Sequence, residues 1–392
     1  MRIANVVLND FTRDNRVLKL SESLASAGHQ VTVVALQKSP EAAGPALPER
    51  ENRDGGWQVI RTRVRSARLP RGTAFGAIKM AELGMRLVWR WRGMDAWHCN
   101  DIEAFVLGWL AQRLNPRLQL IYDCHEFEAE RNAKPSIERK MVAWLERRMI
   151  RKAHSVVTVS PSIVRAYQTR YAEHGIPQVL LVRNVPAPRS HVLSDVSKPN
   201  LFKQRFNIPE DDFVALYQGA FSFNRGLETA IDAMEGLADQ GIHLVLMGYG
   251  PLQHLVDEAA ARHPHIHVHP AVAYEEVLAH TLSADIGLVS VKPTCLSYLY
   301  CLPNKLFEYI LAGVPVLSND LPDCRDLIAS YKVGSIVEAD NASGWRKALL
   351  EAKSNGTSQF EPGLKRAAET LSWSREVAPL LAVYSAMEKD GH

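Results

Sequence analysis

The chain has 392 residues, and because one hydrophobic core stops growing near ~250–300 residues, this length predicts two domains. Hydrophobic residues make up 46% of the chain and charged residues 23%, which excludes extended disorder and fibrous repeats. The net charge is only +3, no apolar run approaches the ~20 residues that cross a bilayer, and the five cysteines contain no CxxC pair, so we expect a cytoplasmic protein.

The first half alternates short apolar strands with amphipathic helices, a pattern typical of a parallel sheet with crossover helices. After an opening strand at 2–8, Asp14 can cap a helix that runs to about Ala27, and Gly28 ends it before the next strand. We therefore predict a doubly wound domain over residues 1–185, with later strands at 31–36, 58–62, 96–99, 118–123, 156–159 and 179–182.

Residues 186–210 contain four prolines and break the periodicity, which predicts an interdomain linker. A second α/β series follows over residues 211–370. The predicted fold class is therefore α/β, with two Rossmann-like, doubly wound parallel-sheet domains that face a central cleft. In such sheets a ligand binds beyond the carboxyl ends of the strands. The predicted strands of the second series lie at 213–218, 244–247, 266–269, 286–291 and 314–318.

The densest motif of the second half spans residues 300–319. Pro303 can open a helix whose free backbone N–H groups, with Lys305 in the first turn, form an anion site suited to a diphosphate. Glu308 lies one turn further along, where its carboxylate can accept hydrogen bonds from a ribose diol. The alternative is that Lys305 and Glu308 form a solvated i,i+3 pair on an ordinary helix.

Two glycine-rich turns follow other strands of the second half. In residues 218–228, Gly219 allows the backbone to approach a ligand closely, and Arg225 can donate a charge-assisted fork to phosphate oxygens. A surface arginine before a glycine turn is the alternative. Residues 247–251 repeat the arrangement of strand, glycine turn and helix.

These three motifs, in this order, resemble the C-terminal half of the family-four glycosyltransferases of the GT-B fold, in the subgroup that builds bacterial surface polysaccharides. Residues 121–126 (IYDCHE) resemble the DxHE segment of the family, and residues 14–34 resemble its first helix and second strand. The resemblance implies a retaining nucleotide-sugar transferase. It places the acceptor on residues 1–185, the donor on residues 211–370, and a C-terminal helix, 371–392, across the first domain.

The resemblance also assigns roles to single residues. Glu308 matches the second glutamate of the family's E-x7-E motif, which binds the nucleotide ribose. Arg225 matches the basic residue that holds the diphosphate, and His125 matches a histidine that approaches the donor sugar and its phosphate. The sequence departs from the family pattern at Ala220, where many members have arginine, and at Tyr300, where the first glutamate would lie.

The candidate site residues therefore fall into three groups. They are the catalytic candidates His125, Arg225 and Lys305; the donor-binding candidates Gly219, Arg225, Gly248, Tyr249, Gly250, Pro303, Asn304, Lys305, Leu306 and Glu308; and the acceptor or sugar candidates Arg16, Asp101, Glu126, Asn184 and Tyr300.

The implied mechanism uses no protein nucleophile, because hydrolase-type chemistry needs two carboxylates and the motifs supply only Glu308. Arg225, Lys305 and a helix N-terminus would instead stabilise the charge on the departing diphosphate. The freed phosphate oxygen would then deprotonate the acceptor hydroxyl on the same face. We expect no metal and no other cofactor, a UDP-linked sugar as donor with GDP as the alternative, and a lipid-linked or saccharide acceptor.

Two dense basic segments lie in the first half. Residues 61–92 carry nine basic residues against one acid, and residues 131–152 carry eight against two. Between Arg61 and Arg92 the arginines lie among tryptophans and other apolar residues, which favours contact with an anionic membrane surface; a helix packed on the sheet is the alternative. No nucleic-acid-binding motif is present, so we expect no nucleic acid partner. The expected location is cytoplasmic and peripheral on the inner face of the membrane.

Other functions stay open on the residues alone. A nicotinamide-dependent oxidoreductase is disfavoured, because residues 248–253 (GYGPLQ) lack the third glycine of GxGxxG. A nucleotide-sugar epimerase or hydrolase would bind the same donor, and a non-catalytic sugar-nucleotide binding subunit is compatible with Ala220 and Tyr300. Alternate histidines at 263–269 would suit a metal on one strand face, although Pro264 argues against it.

Overall fold

The computed structural model describes residues 1–12, 14–37, 47–63, 73–131, 135–187 and 200–390. The chain divides into two compact units. The first comprises residues 1–184 together with the C-terminal segment from Ser374, and the second comprises residues 185–373. Each unit is built around its own largely parallel sheet, as expected for two Rossmann-like domains.

The first unit has a sheet flanked by helices. Its described strands are β1 (Arg2–Val6), β2 (Gln30–Leu36), β3 (Arg50–Asn52), β4 (Gln58–Thr62), β5 (Ala96–Asn100), β6 (Gln119–Cys124), β7 (Ser155–Thr158) and β8 (Gln178–Leu181). Its helices before residue 172 are α1 (Asn15–Ser26), α2 (Thr73–Trp91), α3 (Asp101–Leu114), α4 (Ser136–Met149) and α5 (Pro161–Tyr171).

The strand order of this sheet is β3-β4-β2-β1-β5-β6-β7-β8, and only β3 is antiparallel to its neighbour. All five residues of β5 are buried, which is typical of a strand covered on both faces. The crossovers that contain α2, α3 and α4 run in the same direction across the sheet, so right-handed connections place these helices on one face. There α3 packs between α2 and α4.

The second unit repeats this architecture with a parallel sheet in the order β11-β10-β9-β12-β13-β14. These strands are β9 (Phe213–Ala220), β10 (Ile242–Tyr249), β11 (Ile266–Pro270), β12 (Ile286–Val289), β13 (Val316–Ser318) and β14 (Gly334–Ile336). The helices are α6 (Leu201–Phe206), α7 (Leu227–Ala233), α8 (Gln253–Arg262), α9 (Tyr274–Thr281), α10 (Leu296–Leu299), α11 (Asn304–Leu311), α12 (Pro322–Tyr331), α13 (Ala342–Asn355) and α14 (Glu361–Thr370).

Along β9 the buried side chains alternate between two hydrophobic cores, one on each face of the second sheet. Val214 and Leu216 belong to one core, whereas Ala215 and Tyr217 belong to the other. This alternation is the period of two that a strand imposes, and it makes β9 a fully covered central strand. Gln218, near the carboxyl end of β9, is therefore held at a fixed place in the sheet.

The last helix, α15 (Trp373–Asp390), groups with the first unit from Ser374 onwards. Its buried Glu376 accepts hydrogen bonds from the Arg183 side chain, from Nε at 3.0 Å and from Nη2 at 2.6 Å. Near its end, Glu388 accepts a hydrogen bond of 2.7 Å from the N-terminal ammonium of Met1. Charged contacts thus fix both ends of this helix within the first unit.

The segment expected to be a linker differs in part from the structure. Residues 188–199 lie outside the described residues. Helix α6 follows, and its Phe202 is fully buried in a core of the second unit. Val185 belongs to the same core. Residues 201–210 are therefore part of the second unit, because a buried aromatic side chain ties them to its sheet.

Five elements were absent from the sequence prediction, namely β3, β14, α6, α10 and α14. Strands β3 and β14 have only three residues each and are incompletely buried, so they carry no apolar alternation. Helix α14 begins with Glu-Pro-Gly, a combination that resembles a turn in sequence. Within the described ranges, no helix is both long enough and apolar enough to span a membrane.

Candidate functional site

At the carboxyl end of β6, Asp123 is completely buried. It accepts two hydrogen bonds from Arg16 of α1, from Nε at 3.0 Å and from Nη2 at 2.8 Å. It also lies 3.1 Å from Nε2 of His98, whose Nδ1 lies 2.9 Å from the hydroxyl of Tyr384. Burial opposes ionisation, but the Arg16 guanidinium and the His98 hydrogen bond hold the pKa of Asp123 well below its usual range. Arg16, an acceptor candidate in the sequence, is thus held inside the first unit.

His125 lies directly beyond β6, and its side chain is 23% exposed. Asn100 donates hydrogen bonds from its amide nitrogen to Asn5 and to the carbonyl of Val6. Its Oδ1 is therefore the acceptor that lies 3.1 Å from Nε2 of His125. This network assigns a proton to Nε2 of His125. Nδ1 lies 3.8 Å from Oδ1 of Asp101.

Asp101 itself has an unusual backbone. It begins α3 with φ of 64°, in the left-handed region that favours glycine, and such conformations are concentrated at functional sites. Its Oδ1 is buried without a hydrogen-bond partner among the described residues. The structure thus brings the candidates Asp101 and His125 together, at the edge of the sheet where ligands of such folds bind.

The two other candidates of the first unit have protein partners. Glu126 forms an ion pair with Arg131, with 3.4 Å between Oε2 and Nε. Asn184 accepts a hydrogen bond of 2.9 Å from Nζ of Lys19.

In the second unit, the turn after β9 presents Arg225. The Ser290 hydroxyl donates a hydrogen bond of 2.9 Å to the Arg225 carbonyl, and the preceding Asn224 has φ of 62°. The guanidinium carbon of Arg225 lies 4.6 Å from the ring centroid of Tyr298. Its Nε is buried without a hydrogen-bond partner in the part of the chain that the structure describes. The aromatic ring orients the cation and leaves this donor unsatisfied.

Lys305, in the first turn of α11, is only 8% exposed. Its Nζ lies 3.6 Å from the ring centroid of Tyr217 and has no hydrogen-bond partner within the described ranges. Burial and the nearby Arg225 lower the pKa of Lys305 to about 7, against the opposing effect of Glu308. Because a buried ammonium without hydrogen bonds is costly, this arrangement favours the binding of an anion.

Gly219, the penultimate residue of β9, lies beside this lysine. Its φ of 126° is rarely adopted by residues with a side chain, and a Cβ added at this position would have Cε of Lys305 as its nearest neighbour, at 3.8 Å. The backbone of Gly219 is exposed and so can approach a ligand. The structure therefore brings together three donor-binding candidates, Gly219, Arg225 and Lys305.

Glu308 is held one turn further along α11. It accepts a hydrogen bond of 2.6 Å from Nε2 of Gln218. The opposite end of the Gln218 amide accepts a hydrogen bond of 2.8 Å from Thr281, and its backbone N–H donates to the Tyr309 hydroxyl at 3.2 Å. These contacts fix the Gln218 side chain, which in turn orients the Glu308 carboxylate.

Three residues of this site, Gln218, Tyr217 and Tyr298, were missing from the sequence candidates. Gln218 could have been found as the polar residue that follows the apolar run of β9, directly before Gly219. The two tyrosines carry no comparable signal, because only the fold places their rings against Lys305 and Arg225.

The turn at residues 247–251 has a packing role in the structure. A Cβ on Gly248 would lie 1.9 Å from the Gly219 carbonyl, and one on Gly250 would lie 2.3 Å from the Phe221 carbonyl. Neighbouring backbone thus requires both glycines, and it supports the strand end that carries Gly219. Tyr249, between them, is 55% exposed.

The remaining candidates of the second unit surround the start of α11. Pro303 is its N-terminal cap residue, and the exposed Asn304 is its first residue. The side chain of Leu306 is fully buried in the core, so only its backbone could contact a ligand. Tyr300 is the C-terminal cap residue of α10 and is half-buried.

The histidines near 263–269 pack against neighbouring side chains. Nε2 of His267 lies 3.0 Å from Nδ1 of His243, and Nε2 of His243 lies 3.0 Å from a carboxylate oxygen of Asp212. Nε2 of His265 lies 2.9 Å from the Met234 carbonyl. Among all described residues, no group of three or more His, Cys, Asp or Glu side chains is arranged to hold a metal ion.

Two Rossmann-like units with parallel sheets define the class of GT-B glycosyltransferase folds. The model of the glycosyl transferase 4-like domain matches residues 14–193, and the model of glycosyl transferases group 1 matches residues 200–368. The chain therefore belongs to the family-four glycosyltransferases of the GT-B fold.

Individual relatives are distant. The chain is similar to a phosphatidyl-myo-inositol mannosyltransferase of Mycobacterium leprae, with 24% identity over 43% of this chain and 44% of the relative. The match thus spans less than half the length of that curated relative. Sucrose-phosphate synthase from Thermosynechococcus elongatus has a similar structure, with a TM-score of 0.79, 17% identity and full coverage of both chains. Anabaena HepE, in complex with UDP and glucose, gives a TM-score of 0.75 at 14% identity, covering 98% of this chain and 99% of HepE.

Proposed function

We propose that this protein is a retaining glycosyltransferase that moves a sugar from a UDP-linked donor to a hydroxyl acceptor in the assembly of a bacterial surface polysaccharide or glycolipid. One observation carries the donor part of this proposal. Two cationic side chains, Lys305 and Arg225, lie at the carboxyl end of β9 with buried nitrogen atoms that lack hydrogen-bond partners among the described residues. A diphosphate supplies the charge and the acceptor oxygens that this pair requires.

The nucleotide would extend from the diphosphate along α11. Glu308 lies one turn beyond Lys305, and Gln218 holds its carboxylate in place at 2.6 Å. A carboxylate so oriented can accept hydrogen bonds from both hydroxyls of a ribose. The complex of the similarly folded HepE with UDP and glucose supports UDP as the first nucleotide to test.

The proposed reaction breaks the bond between the anomeric carbon of the donor sugar and the oxygen of the diphosphate. The bonding electrons stay on that oxygen, and the charge that develops there is stabilised by Arg225, Lys305 and the N-terminus of α11. The acceptor oxygen bonds to the anomeric carbon on the same face, and its proton passes to the departing diphosphate. The chemistry requires no protein nucleophile, and we propose that these cations make a divalent metal unnecessary.

The first unit would supply the acceptor side. His125 and Asp101 form a partly exposed polar pair at the carboxyl ends of β5 and β6, and among the described residues the buried Oδ1 of Asp101 has no hydrogen-bond partner. Such a pair can orient an acceptor hydroxyl. The similarity to a phosphatidyl-myo-inositol mannosyltransferase is a reason to include lipid-linked acceptors among those tested.

The proposal is tested by incubating the protein with a panel of UDP- and GDP-linked sugars, with and without lipid or saccharide extract. We expect release of UDP that requires an acceptor, at a rate that persists after chelation of divalent metal. UDP release without an acceptor would indicate a hydrolase, and binding without turnover in any mixture would indicate a binding subunit. Loss of activity with EDTA that magnesium restores would refute the metal-independent mechanism alone.

A further inference from the structure

The described residues of the chain contain eleven exposed large apolar side chains, and eight of them lie on α2, α3 and α4. These three helices are neighbours on one face of the first sheet, with α3 in the middle. Scattered apolar residues on a surface need no explanation, but such a concentration in one place does. We call this face of the first unit the three-helix surface.

Helix α4 shows the feature most clearly. Ile137, Met141 and Trp144 are spaced by four and three residues, so they form one stripe along the helix, and they are 77%, 54% and 55% exposed. The side of α4 that faces the sheet carries the fully buried Glu146. This inner side also carries the buried Val142 and Met149, so α4 has apolar side chains on both sides, with a carboxylate buried inside and an apolar stripe exposed outside.

The rotation of α4 about its axis is fixed from within. The Glu146 carboxylate accepts hydrogen bonds from the hydroxyls of three buried tyrosines, Tyr122 at 2.8 Å, Tyr167 at 2.6 Å and Tyr171 at 2.5 Å. A rotation of α4 that buried its apolar stripe would break all three hydrogen bonds and expose the groups that form them. The buried hydrogen-bond network therefore keeps the apolar stripe on the outer side of α4.

Helix α2 repeats the arrangement at its C-terminal end. Met85 and Trp89, four residues apart, are 69% and 68% exposed, and Arg92 lies over the Trp89 ring at 3.6 Å. On α3, between the two stripes, Leu110 and Leu114 are 40% and 58% exposed. The apolar side chains therefore continue across all three helices.

The charges around these stripes are mostly positive. Lys140, Arg147 and Arg148 are exposed on α4, and Arg148 lies 5.6 Å from the Trp144 ring. Arg86 and Arg90 are exposed on α2. Tryptophan and arginine side by side, around an apolar stripe, match the interface of an anionic bilayer, where rings enter the headgroup region and cations meet phosphates.

We infer that the three-helix surface binds anionic lipid bilayers, with Ile137, Met141 and Trp144 inserted at the headgroup level. This goes beyond the proposed function and revises the sequence expectation for residues 61–92. Arg61 is buried and pairs with Glu51 at 2.9 Å, so it cannot contact lipid, whereas α4 was not expected to take part. The described part of α2 remains within the surface.

The test uses the full chain and vesicles of equimolar phosphatidylcholine and phosphatidylglycerol, without nucleotide. We expect co-sedimentation, and quenching of tryptophan fluorescence when the lipid is brominated. The variant Ile137→Ser/Met141→Gln/Trp144→Ser should bind at least about tenfold more weakly, because it removes three exposed apolar groups. The variant Arg147→Gln/Arg148→Gln should lose about fivefold per cation removed at low salt. The matched control, Lys365→Gln/Arg375→Gln, removes two exposed cations elsewhere and should bind as the unaltered chain does.

The circular dichroism spectrum and thermal transition of each variant serve as the folding control, and UDP binding is measured separately, so a failure of the lipid inference is distinguishable from a failure of the proposed donor. Equal binding to pure phosphatidylcholine, or unaltered vesicle binding by the triple apolar variant, would overturn the inference. A third outcome would also overturn it. If vesicle binding is absent, and sedimentation velocity shows a dimer that the triple variant converts to a monomer, the surface binds a second copy of the chain instead.

Discussion

The two units differ in whether their buried charged side chains have hydrogen-bond partners. In the first unit, Asp123 is matched by Arg16 and His98, and the hydrogen bonds continue to Tyr384. In the second unit, Lys305 is also buried, yet its Nζ contacts an aromatic ring and has no hydrogen-bond partner among the described residues. A satisfied network maintains a shape, whereas an unsatisfied cation becomes stable only when an anion binds. The difference thus separates residues that stabilise the fold from residues that are available to bind a ligand.

The largest expected effect concerns the hydrogen-bonded charge network around Asp123 in the first unit. Replacement Asp123→Asn leaves the Arg16 guanidinium buried without a countercharge, and we expect the free energy of unfolding of the first unit to fall by about 3–5 kcal/mol. Urea denaturation, with fluorescence from each unit followed separately, measures the change. The matched control is Asp95→Asn, whose ion pair with Arg2 is exposed, so it should change stability by less than about 1 kcal/mol. Equal effects of the two variants would show that the Asp123 network is not a special determinant of the fold.

The next effect concerns Arg225 and Lys305, the two buried cations of the second unit. Arg225→Ala and Lys305→Ala should each lower kcat by about 100- to 1000-fold, since each removes a donor aimed at the leaving diphosphate. The Kd for UDP should rise by only about tenfold, the loss of one charge-assisted hydrogen bond. Lys347→Ala, an exposed lysine paired with Glu338, is the control and should leave both quantities unchanged. Unchanged kcat in both site variants would remove the proposed role of the cations.

A smaller effect tests the ribose contact. Glu308→Gln should weaken UDP binding by about tenfold but leave the Kd of 2′,3′-dideoxy-UDP unchanged, because the dideoxy nucleotide lacks the hydroxyls that Glu308 would bind. Isothermal titration of both nucleotides against both proteins gives the comparison. If the variant weakened the two nucleotides equally, Glu308 would act through Gln218 and the local packing instead.

The sequence predicted much of this architecture because parallel strands buried on both faces contain runs of apolar residues, as at 213–217 in β9 and 244–247 in β10. It missed β3 and β14, where short, partly exposed strands carry no period, and it missed α14, whose first residues resemble a turn. The two glycine turns were recognised by composition, but composition could not distinguish Gly219, which is open to a ligand, from Gly248, which neighbouring backbone requires.

Side-chain partners set a second limit on what the sequence could predict. Arg16 and Arg225 are both arginines near strand ends, yet the fold gives Arg16 a buried carboxylate and Arg225 only an aromatic ring and an unpaired Nε among the described residues. Nothing local to either residue encodes that difference, because Asp123 and Tyr298 are distant in the chain. The same holds for α4, whose outward apolar stripe looks like a core stripe until Glu146 and its three tyrosines fix the rotation of the helix.

The smallest expected effect follows from the pKa of Lys305, which burial and Arg225 lower to about 7 in the free protein. A bound diphosphate stabilises the ammonium and so raises this pKa, which means that donor binding above pH 7 must take up a proton. The affinity for UDP-glucose, whose diphosphate does not titrate near neutrality, should therefore be constant below about pH 6 and fall by up to about tenfold per pH unit above about pH 7. Titration calorimetry in buffers of different ionisation enthalpy measures the proton uptake directly. Lys305→Gln should bind more weakly with an affinity that does not change over the same range, and a flat profile for the unaltered chain would show that Lys305 keeps its proton without a ligand.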